Sequence, residues 1–247
     1  MCLIAFQWQP EGPVPLILAG NRDEFYARPT APMAWWAGGR ILAGKDLKAS
    51  GTWLGVAKDG RFAALTNFRD PRLTKTDRAS RGQLPVRFLE GNAAVGTFLE
   101  QLRGEVDQYN PFNLLLFDGL DLLAYESRHD RIVPFAPGIH AVSNGDFDGP
   151  WPKVEALKAG LASALEDDEA LLNLLGEAQP FPDDRLPSTG VSIEWERSLS
   201  PAFVRSPTYG TRASAVVRLG RDTVSILEQG FSPEGPQGRT EFQFQRR

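Results

Sequence analysis

The sequence contains few of the residues that crosslink a chain or bind metals. Its 247 residues include one Cys and two His. An intramolecular disulfide is therefore excluded, and a zinc or haem site built on Cys and His spacing has little support. We predict no metal and no cofactor, and we expect His129 and His140 to occupy core or surface positions.

Long apolar runs and basic clusters are also absent. No run approaches the roughly 20 residues of a transmembrane helix, and the N-terminal stretch lacks the basic start of a secretory signal. The 27 Lys and Arg residues are outnumbered by 31 Asp and Glu, which gives a formal net charge of −4. Nucleic-acid-binding domains usually carry a basic patch. We therefore predict a cytoplasmic protein that neither spans a membrane nor binds nucleic acid.

What is present suits an ordinary folded domain. Hydrophobic residues make up 42% of the chain, and a chain of this length buries about three-quarters of its unfolded surface without covalent staples. Neither an internal repeat nor a linker-like change of composition divides the sequence. We predict a single domain spanning residues 1–247 and leave its oligomeric state open.

The spacing of apolar residues predicts three β-hairpins. In each, two apolar runs flank a turn rich in Gly, Pro or Asp. The paired runs are residues 2–8 with 14–19, 53–57 with 62–67, and 213–219 with 223–227.

Helical spacing alternates with these strand signals along the chain. Apolar residues recur three and four apart at 84–89, 93–102, from 151 or 152 to about 165, and 171–175. Further strands are predicted at 112–117, 122–125 and 139–142. The order of strands, helices, strands, helices and strands predicts an α+β fold, with helices covering antiparallel sheets.

The one Cys follows the initiator Met directly. If Met1 is removed, the Cys2 thiol and a free α-amine belong to the same residue. An α-amine titrates near pH 7.7 to 8.0, so it can accept the thiol proton, directly or through one water. A nucleophile and its base then arrive together. The alternative is that Cys2 is a small buried hydrophobe in a strand.

Charged residues follow the second predicted strand. In a hairpin the end of the second strand returns beside the start of the first, so Arg22 or Asp23 can lie close to Cys2. A cation there would lower the thiol pKa, and a carboxylate would hold the ammonium group. The alternative for the run Asn21-Arg22-Asp23-Glu24 is a solvated turn.

Other polar and aromatic candidates stand near predicted strand ends. Asn67 and Asn144 could donate to an oxyanion or serve as turn residues. Arg212 precedes a strand and could pair with a carboxylate or lie on the surface. The tryptophans near loops could wall an apolar pocket or belong to the core. They are Trp35, Trp36 and Trp53.

The run from Asn21 to Tyr26, with Arg28 and Pro29 and following Met1-Cys2, resembles the NRDE family, also called the transport and Golgi organisation protein family. Further segments resemble the family's motifs in the family's order. They are 51–56, 64–67, 110–115, 143–151 and 209–212. The resemblance therefore covers nearly the whole chain.

That family resembles N-terminal nucleophile hydrolases such as penicillin acylases and bile-salt hydrolases. The resemblance implies a four-layer αββα sandwich of antiparallel sheets and amide hydrolysis by an N-terminal Cys. The resemblance implies that Cys2 is the nucleophile, that Asp23 is the carboxylate near its amine, and that Arg22 is a charge near the sulfur. It implies that Asn67 and Asn144 position the oxyanion or the amine, and that Arg212 is the late arginine of the site.

The sequence departs from the bile-salt hydrolase pattern at one point. Arg22 and Asp23 are adjacent, whereas that pattern separates the arginine and the aspartate by about three residues. Adjacent side chains leave a strand on opposite faces.

Two functional hypotheses follow. The first is a cysteine hydrolase of the N-terminal nucleophile type, acting on a linear amide of a small molecule. The second is a non-catalytic protein that uses the same fold to bind haem or an acyl chain, with a trafficking or Golgi organisation role. Trp35, Trp36 and Trp53 motivate the second hypothesis.

Overall fold

A computed structural model describes residues 2–246, and within them thirteen strands form two antiparallel sheets. The strands of the six-stranded sheet, numbered in chain order with the rest, are β1 (Cys2–Trp8), β2 (Leu16–Phe25), β10 (Gly138–Val142), β11 (Tyr209–Leu219), β12 (Thr223–Ser232) and β13 (Gly235–Gln245). Their spatial order is β10-β1-β2-β11-β12-β13. Strands distant in sequence are therefore neighbours in this sheet.

The seven-stranded sheet keeps its strands in chain order, from β3 at one edge to β9 at the other. The strands are β3 (Thr30–Trp35), β4 (Ile41–Asp46), β5 (Leu54–Ala57), β6 (Phe62–Asn67), β7 (Phe112–Phe117), β8 (Leu122–Glu126) and β9 (Arg131–Pro134). Each is joined to the next by local connections, except that two helices separate β6 from β7.

Helices cover the outer face of each sheet. Helices α1 (Gln83–Glu90) and α2 (Val95–Arg103) pack on the seven-stranded sheet, and α3 (Pro152–Ala164) and α4 (Asp168–Leu175) pack on the six-stranded sheet. A short helix, α5 (Ile193–Ser198), precedes β11. Apolar cores fill the space between the sheets and beneath each helix pair. The predicted αββα sandwich is confirmed.

The alternation of side chains along β1 explains why both of its faces are apolar. Cys2, Ile4 and Phe6 point into the core between the sheets, and Leu3 and Ala5 point towards α3 and α4. Successive side chains of a strand leave on opposite faces, so a strand in an inner layer must be apolar throughout. Cys2 is thus directed between the two sheets.

The predicted hairpins are present, but the strands are longer than the apolar runs. Strand β2 continues through Asn21-Arg22-Asp23-Glu24, and β11 already includes Arg212. The solvated turn considered for residues 21–24 is wrong, because β1 and β11 pair with β2 on its two sides. Because β2 is paired on both sides, these polar residues are part of a strand, although their side chains alone do not favour strand formation.

Four strands and one helix were not predicted: β3, β4, β9, β13 and α5. Strand β13 is an edge strand in which residues 236–239 are exposed and residues 240–245 alternate between half-buried and exposed, so it lacks a strong apolar signal. The turn into β13 depends on Gly235, whose φ of 124° is a conformation that favours glycine. No helix within residues 2–246 is long and apolar enough to cross a membrane.

A buried carboxylate joins the two sheets. The pairing of β3 with β4 is irregular between Ala31 and Ala34, and the Met33 amide within this irregularity donates to Glu228 Oε1 on β12 at 2.7 Å. Glu228 is buried, and burial raises the pKa of its carboxyl. Glu228 therefore accepts a hydrogen bond from the Met33 backbone amide at the point where the pairing of β3 with β4 is interrupted.

We expect Glu228→Ala to destabilise the protein by about 1 to 3 kcal/mol, because it leaves the Met33 amide without its acceptor. Glu228→Gln keeps an acceptor and is expected to retain most of that stability. Urea unfolding at pH 5 and pH 7.5 measures both effects. Since folding raises the carboxyl pKa, the folded state binds the proton more tightly, and wild type loses stability relative to Glu228→Gln as pH rises above about 4.3. Equal stability of the two variants would contradict this role.

Candidate active site

A cavity of about 560 Å³ opens where β1 begins and β2, β6 and β12 reach their ends. Antiparallel pairing causes this convergence, because the start of β1 lies beside the end of β2. Six of the candidate residues line the cavity: Cys2, Arg22, Asp23, Trp53, Asn67 and Arg212. The structure therefore brings most of the sequence-predicted polar groups to one place.

Cys2 and Arg22 are directly opposite each other in the β1–β2 ladder. Paired residues of adjacent strands present their side chains on the same face, so the Arg22 side chain and the thiol share the face between the sheets. Cys2 is a free cysteine with 6% of its surface exposed. It packs in the core between the sheets and also borders the cavity.

The environment of Cys2 favours the neutral thiol. Burial raises the pKa of the Cys2 thiol to about 11, and the carboxylates of Asp23 and Glu24 act in the same direction. Arg22 opposes them by favouring the thiolate, but its effect is smaller than that of burial. A base is therefore needed before the sulfur can act as a nucleophile.

Asp23 lies on the other face of β2, as predicted from its position next to Arg22. Its Oδ1 accepts a hydrogen bond from Thr211 Oγ1, its partner across the β2–β11 ladder, at 2.8 Å. Burial raises the pKa of the Asp23 carboxyl, and the charge of Lys153 opposes that shift. A cation from α3 thus helps to keep this buried carboxylate ionised.

Sequence reasoning missed Lys153. It is buried at the start of α3, where Nζ donates to the Leu199 carbonyl at 2.8 Å. Burial lowers the pKa of Lys153 to about 8, although the Asp23 carboxylate favours its charged form. The available signal was a lysine between Pro152 and Val154, both on the apolar stripe of the helix.

Asn21 has a structural role on the same face as Asp23. Its Nδ2 donates to the carbonyls of Leu175 and Ala202, each at 2.9 Å. Its Oδ1 accepts from Ser214 Oγ at 2.6 Å. These bonds fasten the end of α4 and the segment before β11 to the middle of the sheet.

The two candidate oxyanion donors are adjacent but differ in availability. Asn144 Nδ2 donates to the Asn67 carbonyl at 2.8 Å, and Asn144 Oδ1 accepts from Ser143 Oγ at 3.3 Å. Ser143 Oγ also donates to the Cys2 carbonyl at 3.2 Å. The Asn67 side chain lines the cavity and hydrogen-bonds none of residues 2–246. Asn67 is thus available to a ligand, and Asn144 fixes the backbone that carries it.

Arg212 lines the cavity but binds backbone oxygens. Its Nη1 lies within 3.1 to 3.2 Å of the carbonyls of Phe25, Tyr26 and Arg28, and Nε donates to the Phe231 carbonyl at 3.4 Å. Within residues 2–246 no carboxylate forms an ion pair with it. Arg212 ties the segment after β2 to β12, so its described contacts differ from the expected carboxylate fork.

The three candidate tryptophans are separated by the fold. Trp53 lines the cavity, whereas the lining residues include neither Trp35 nor Trp36 among those described. Trp35 packs edge to face against Phe244, with ring centroids 5.0 Å apart. Trp36 Nε1 donates to the Ala43 carbonyl at 3.0 Å. The interpretation as a wall of three tryptophans therefore applies to Trp53 only.

Arg81 lines the cavity and was also missed by sequence reasoning. It precedes α1, and its Nη1 donates to the Pro111 carbonyl at 2.9 Å. Burial lowers the pKa of Arg81 to about 10, while the charges of Cys2 and Glu24 favour its protonated form. It belongs to a polar connector, where nothing in the local pattern distinguishes a site residue from a surface one.

Neither histidine lies in the cavity lining of the described chain. His129 Nε2 is 3.0 Å from Asp146 Oδ1, and His140 Nδ1 is 2.7 Å from Asp148 Oδ2. Within residues 2–246 no group of three or more His, Cys, Asp or Glu is arranged to hold a metal ion.

The architecture is similar to that of solved structures of two hydrolases. It resembles the crystal structure of the C2A mutant of conjugated bile acid hydrolase from Clostridium perfringens, with a TM-score of 0.50 and 8% sequence identity over 98% of this chain and 92% of that chain. It also resembles the Caenorhabditis elegans orthologue of N-acylethanolamine-hydrolyzing acid amidase, with a TM-score of 0.51 and 11% identity over 87% and 92% of the two chains. At these identities the likeness concerns the fold.

The sequence defines the family more closely. Residues 1–233 match the family Transport and Golgi organisation 2, and the chain belongs to that family. It is 34% identical to a Transport and Golgi organization protein 2 homolog of Bos taurus, over 96% of this chain and 95% of the relative. It is 33% identical to the Homo sapiens homolog over 90% of each chain. The resemblance drawn from the sequence motifs is confirmed.

The buried thiol leads to a prediction of its alkylation rate by iodoacetamide. With Met1 retained, as checked by intact mass, the folded protein at pH 8 is expected to react roughly 100-fold more slowly than the chain unfolded in guanidinium chloride. The reason is that a pKa near 11, against an ordinary value of about 8.5, reduces the thiolate fraction. The folded rate should rise about tenfold per pH unit up to about pH 10. A plateau below pH 9 would contradict the raised pKa.

Proposed function

We propose that this protein is an N-terminal cysteine hydrolase that cleaves a linear amide bond of a small molecule. The observation that carries the proposal is the β1–β2 register, which places the Cys2 thiol opposite Arg22 on the wall of a cavity. The Asn67 side chain, open to a ligand, lies in the same cavity. These groups supply a nucleophile, a cation beside it and an oxyanion donor, and the base in this proposal is the α-amine of Cys2.

The reaction needs removal of Met1, which lies outside the described residues. The free α-amine of Cys2 then accepts the thiol proton, and the sulfur attacks the carbonyl carbon of the amide. The Asn67 amide donates a hydrogen bond to the oxyanion that forms. The amine returns its proton to the leaving nitrogen as the C–N bond breaks, which releases the amine product and leaves a thioester. Water, deprotonated by the same α-amine, hydrolyses the thioester and restores the thiol.

The pKa difference between thiol and amine sets the cost of the first proton transfer. Burial, which raises the pKa of the Cys2 thiol, increases that cost. Arg22 beside the sulfur reduces that cost by favouring the thiolate. In this proposal Asp23, which faces away from the sulfur, holds the protonated amine.

The first test uses Cys2→Ala and Cys2→Ser on a panel of fluorogenic N-acyl aminomethylcoumarin amides with graded acyl length. Both variants are expected to lose hydrolysis entirely, because neither offers a thiolate at neutral pH. Unfolding transitions should stay within a few degrees of wild type, since only one small side chain changes. Intact mass must show that active wild type lacks Met1. Unchanged turnover by Cys2→Ala would overturn the proposal.

Asn67→Ala tests the oxyanion donor. We expect kcat to fall about 10²- to 10³-fold with a smaller change in KM, because the lost hydrogen bond forms in the transition state. Asn173→Ala, on the exposed surface of α4, is the matched control and should retain wild-type kcat. A fall confined to KM would show that Asn67 binds substrate without stabilising the oxyanion.

A second candidate function is a carrier of haem or an acyl chain. It is favoured by the raised thiol pKa, which keeps Cys2 unreactive, and by a cavity of about 560 Å³ beside Trp53. The names of the relatives refer to transport and Golgi organisation, and we extend a trafficking role of this kind, at a cytoplasmic location, only to this second candidate. Saturable quenching of tryptophan fluorescence by hemin or palmitoyl-CoA, unchanged in Cys2→Ala and without turnover of the amide panel, would favour the carrier. Absence of saturable binding would exclude it.

A further inference from the structure

The charge of the cavity is opposite in sign to that of the chain. Acidic residues outnumber basic ones in the whole sequence, 31 to 27. Among the residues that line the cavity, seven are basic and four are acidic. A concave site lined by one sign of charge concentrates ligands of the opposite sign, and low-dielectric walls strengthen the effect. The cavity therefore attracts anions, although the protein as a whole is acidic.

The four acidic residues are already engaged within the protein. Asp46 pairs with Arg28 at 2.7 Å and accepts the backbone amides of Lys48 and Ala49. Glu228 accepts the Met33 amide, and Asp23 accepts the Thr211 hydroxyl.

Glu24 is the remaining acid, and it lies 3.9 Å from Arg22 and 3.8 Å from Arg28. One carboxylate is thus shared at long distance by two guanidinium groups. Both distances exceed the 2.7 to 2.9 Å of a charge-assisted hydrogen bond. Arg22 therefore has hydrogen-bonding capacity left for a ligand.

Arg81 has no acidic partner of its own. No carboxylate of residues 2–246 forms an ion pair with it, and Pro111 O is the one described atom to which its guanidinium donates. Most of the Arg81 side chain is nonetheless removed from water, and its pKa near 10 keeps it charged at neutral pH. A largely buried guanidinium without a counter-charge is costly, and an anionic ligand would offset that cost.

Arg22 and Arg81 line the cavity together with Cys2, and they come from different parts of the fold. Arg22 belongs to the six-stranded sheet, and Arg81 precedes α1, which packs on the seven-stranded sheet. Each interacts electrostatically with Cys2. An anion held by both would therefore lie beside the sulfur, where an acyl group must lie for attack.

We propose that Arg81 and Arg22 form an anion-binding subsite next to Cys2, and that the substrate carries a carboxylate or phosphate group close to its scissile amide. The statement about substrate rests on the proposed hydrolase function, whereas anion binding by the subsite does not. Arg is suited to this task because its planar fork matches carboxylate and phosphate oxygens with two parallel hydrogen bonds.

The test uses three ligands of equal chain length that contain no amide and cannot be hydrolysed: decanoate, decyl phosphate and decanol. Binding to the full chain is measured by isothermal titration calorimetry at low and high salt. Wild type is expected to bind at least one of the two anions about tenfold or more tightly than decanol, with the preference reduced by salt. The stronger anion identifies the group as carboxylate or phosphate. Equal affinities for all three ligands in wild type would overturn the inference.

The variants then locate the subsite. Arg81→Gln is expected to bring the two anions to within about twofold of decanol, and Arg81→Lys to retain part of the preference. Arg128→Gln removes the same charge from an exposed position outside the cavity lining and should bind like wild type. An unchanged anion preference in a folded Arg81→Gln overturns the assignment. If Arg81→Gln does not fold, Arg81→Lys decides the assignment. A weaker preference for the anions over decanol than in wild type supports the role of Arg81, and a preference equal to that of wild type counts against it. If wild type prefers the anions but hydrolyses none of the amides, the hydrolase proposal is overturned and the anion-binding subsite is not.

Discussion

The register between β1 and β2 is the constraint on which the site depends. Side chains alternate along a strand with a period of two, so a slip of one residue would exchange every side chain between the two faces. Cys2 would then point beneath α3 and α4 instead of into the cavity. The slip is prevented because both faces of β1 are buried: Ile4 and Phe6 fill one core, and Leu3 and Ala5 another. Core packing several residues away thus fixes the direction of the thiol.

Strand β2 turns that register into an arrangement of charges. It lies between β1 and β11, and its last residues alternate between the cavity and the helix layer. Arg22 is placed beside the sulfur, while Asp23 is placed with Thr211 and Lys153 on the other face. The charges of Arg22 and Asp23 are thereby kept on opposite sides of one strand.

The cavity retains groups that a purely structural core would exclude. A buried thiol, a half-buried guanidinium at Arg81 and the open amide of Asn67 do not pack as apolar side chains do, and unpaired buried charge is destabilising. Other polar groups serve the fold: Glu228 supports an irregular strand, Asn21 fastens two segments, and Arg212 Nη1 binds three carbonyls. Arg22, Arg81 and Asn67 line the cavity with Cys2 and retain hydrogen-bonding capacity there, which is the pattern expected where binding energy is reserved for a ligand.

The four-layer αββα order was implied by the family resemblance. The sequence pattern itself predicted an α+β fold with helices covering antiparallel sheets, most of the inner strands and the pairing of Cys2 with the residues at the end of β2, because these follow from apolar periodicity and from local hairpin geometry. It also determined that Arg22 and Asp23 would face opposite ways, since that depends only on the two-residue period of a strand. The tertiary structure was needed to show that Trp35 and Trp36 are not among the described residues lining the cavity, that Arg212 binds backbone, that Arg81 lines the cavity, and that the charge of Lys153 acts on Asp23. Those outcomes depend on contacts between segments up to nearly 200 residues apart. Such contacts cannot be predicted from the local spacing of residues. The sequence of a polar connector is the same whether one of its side chains faces solvent or a cavity.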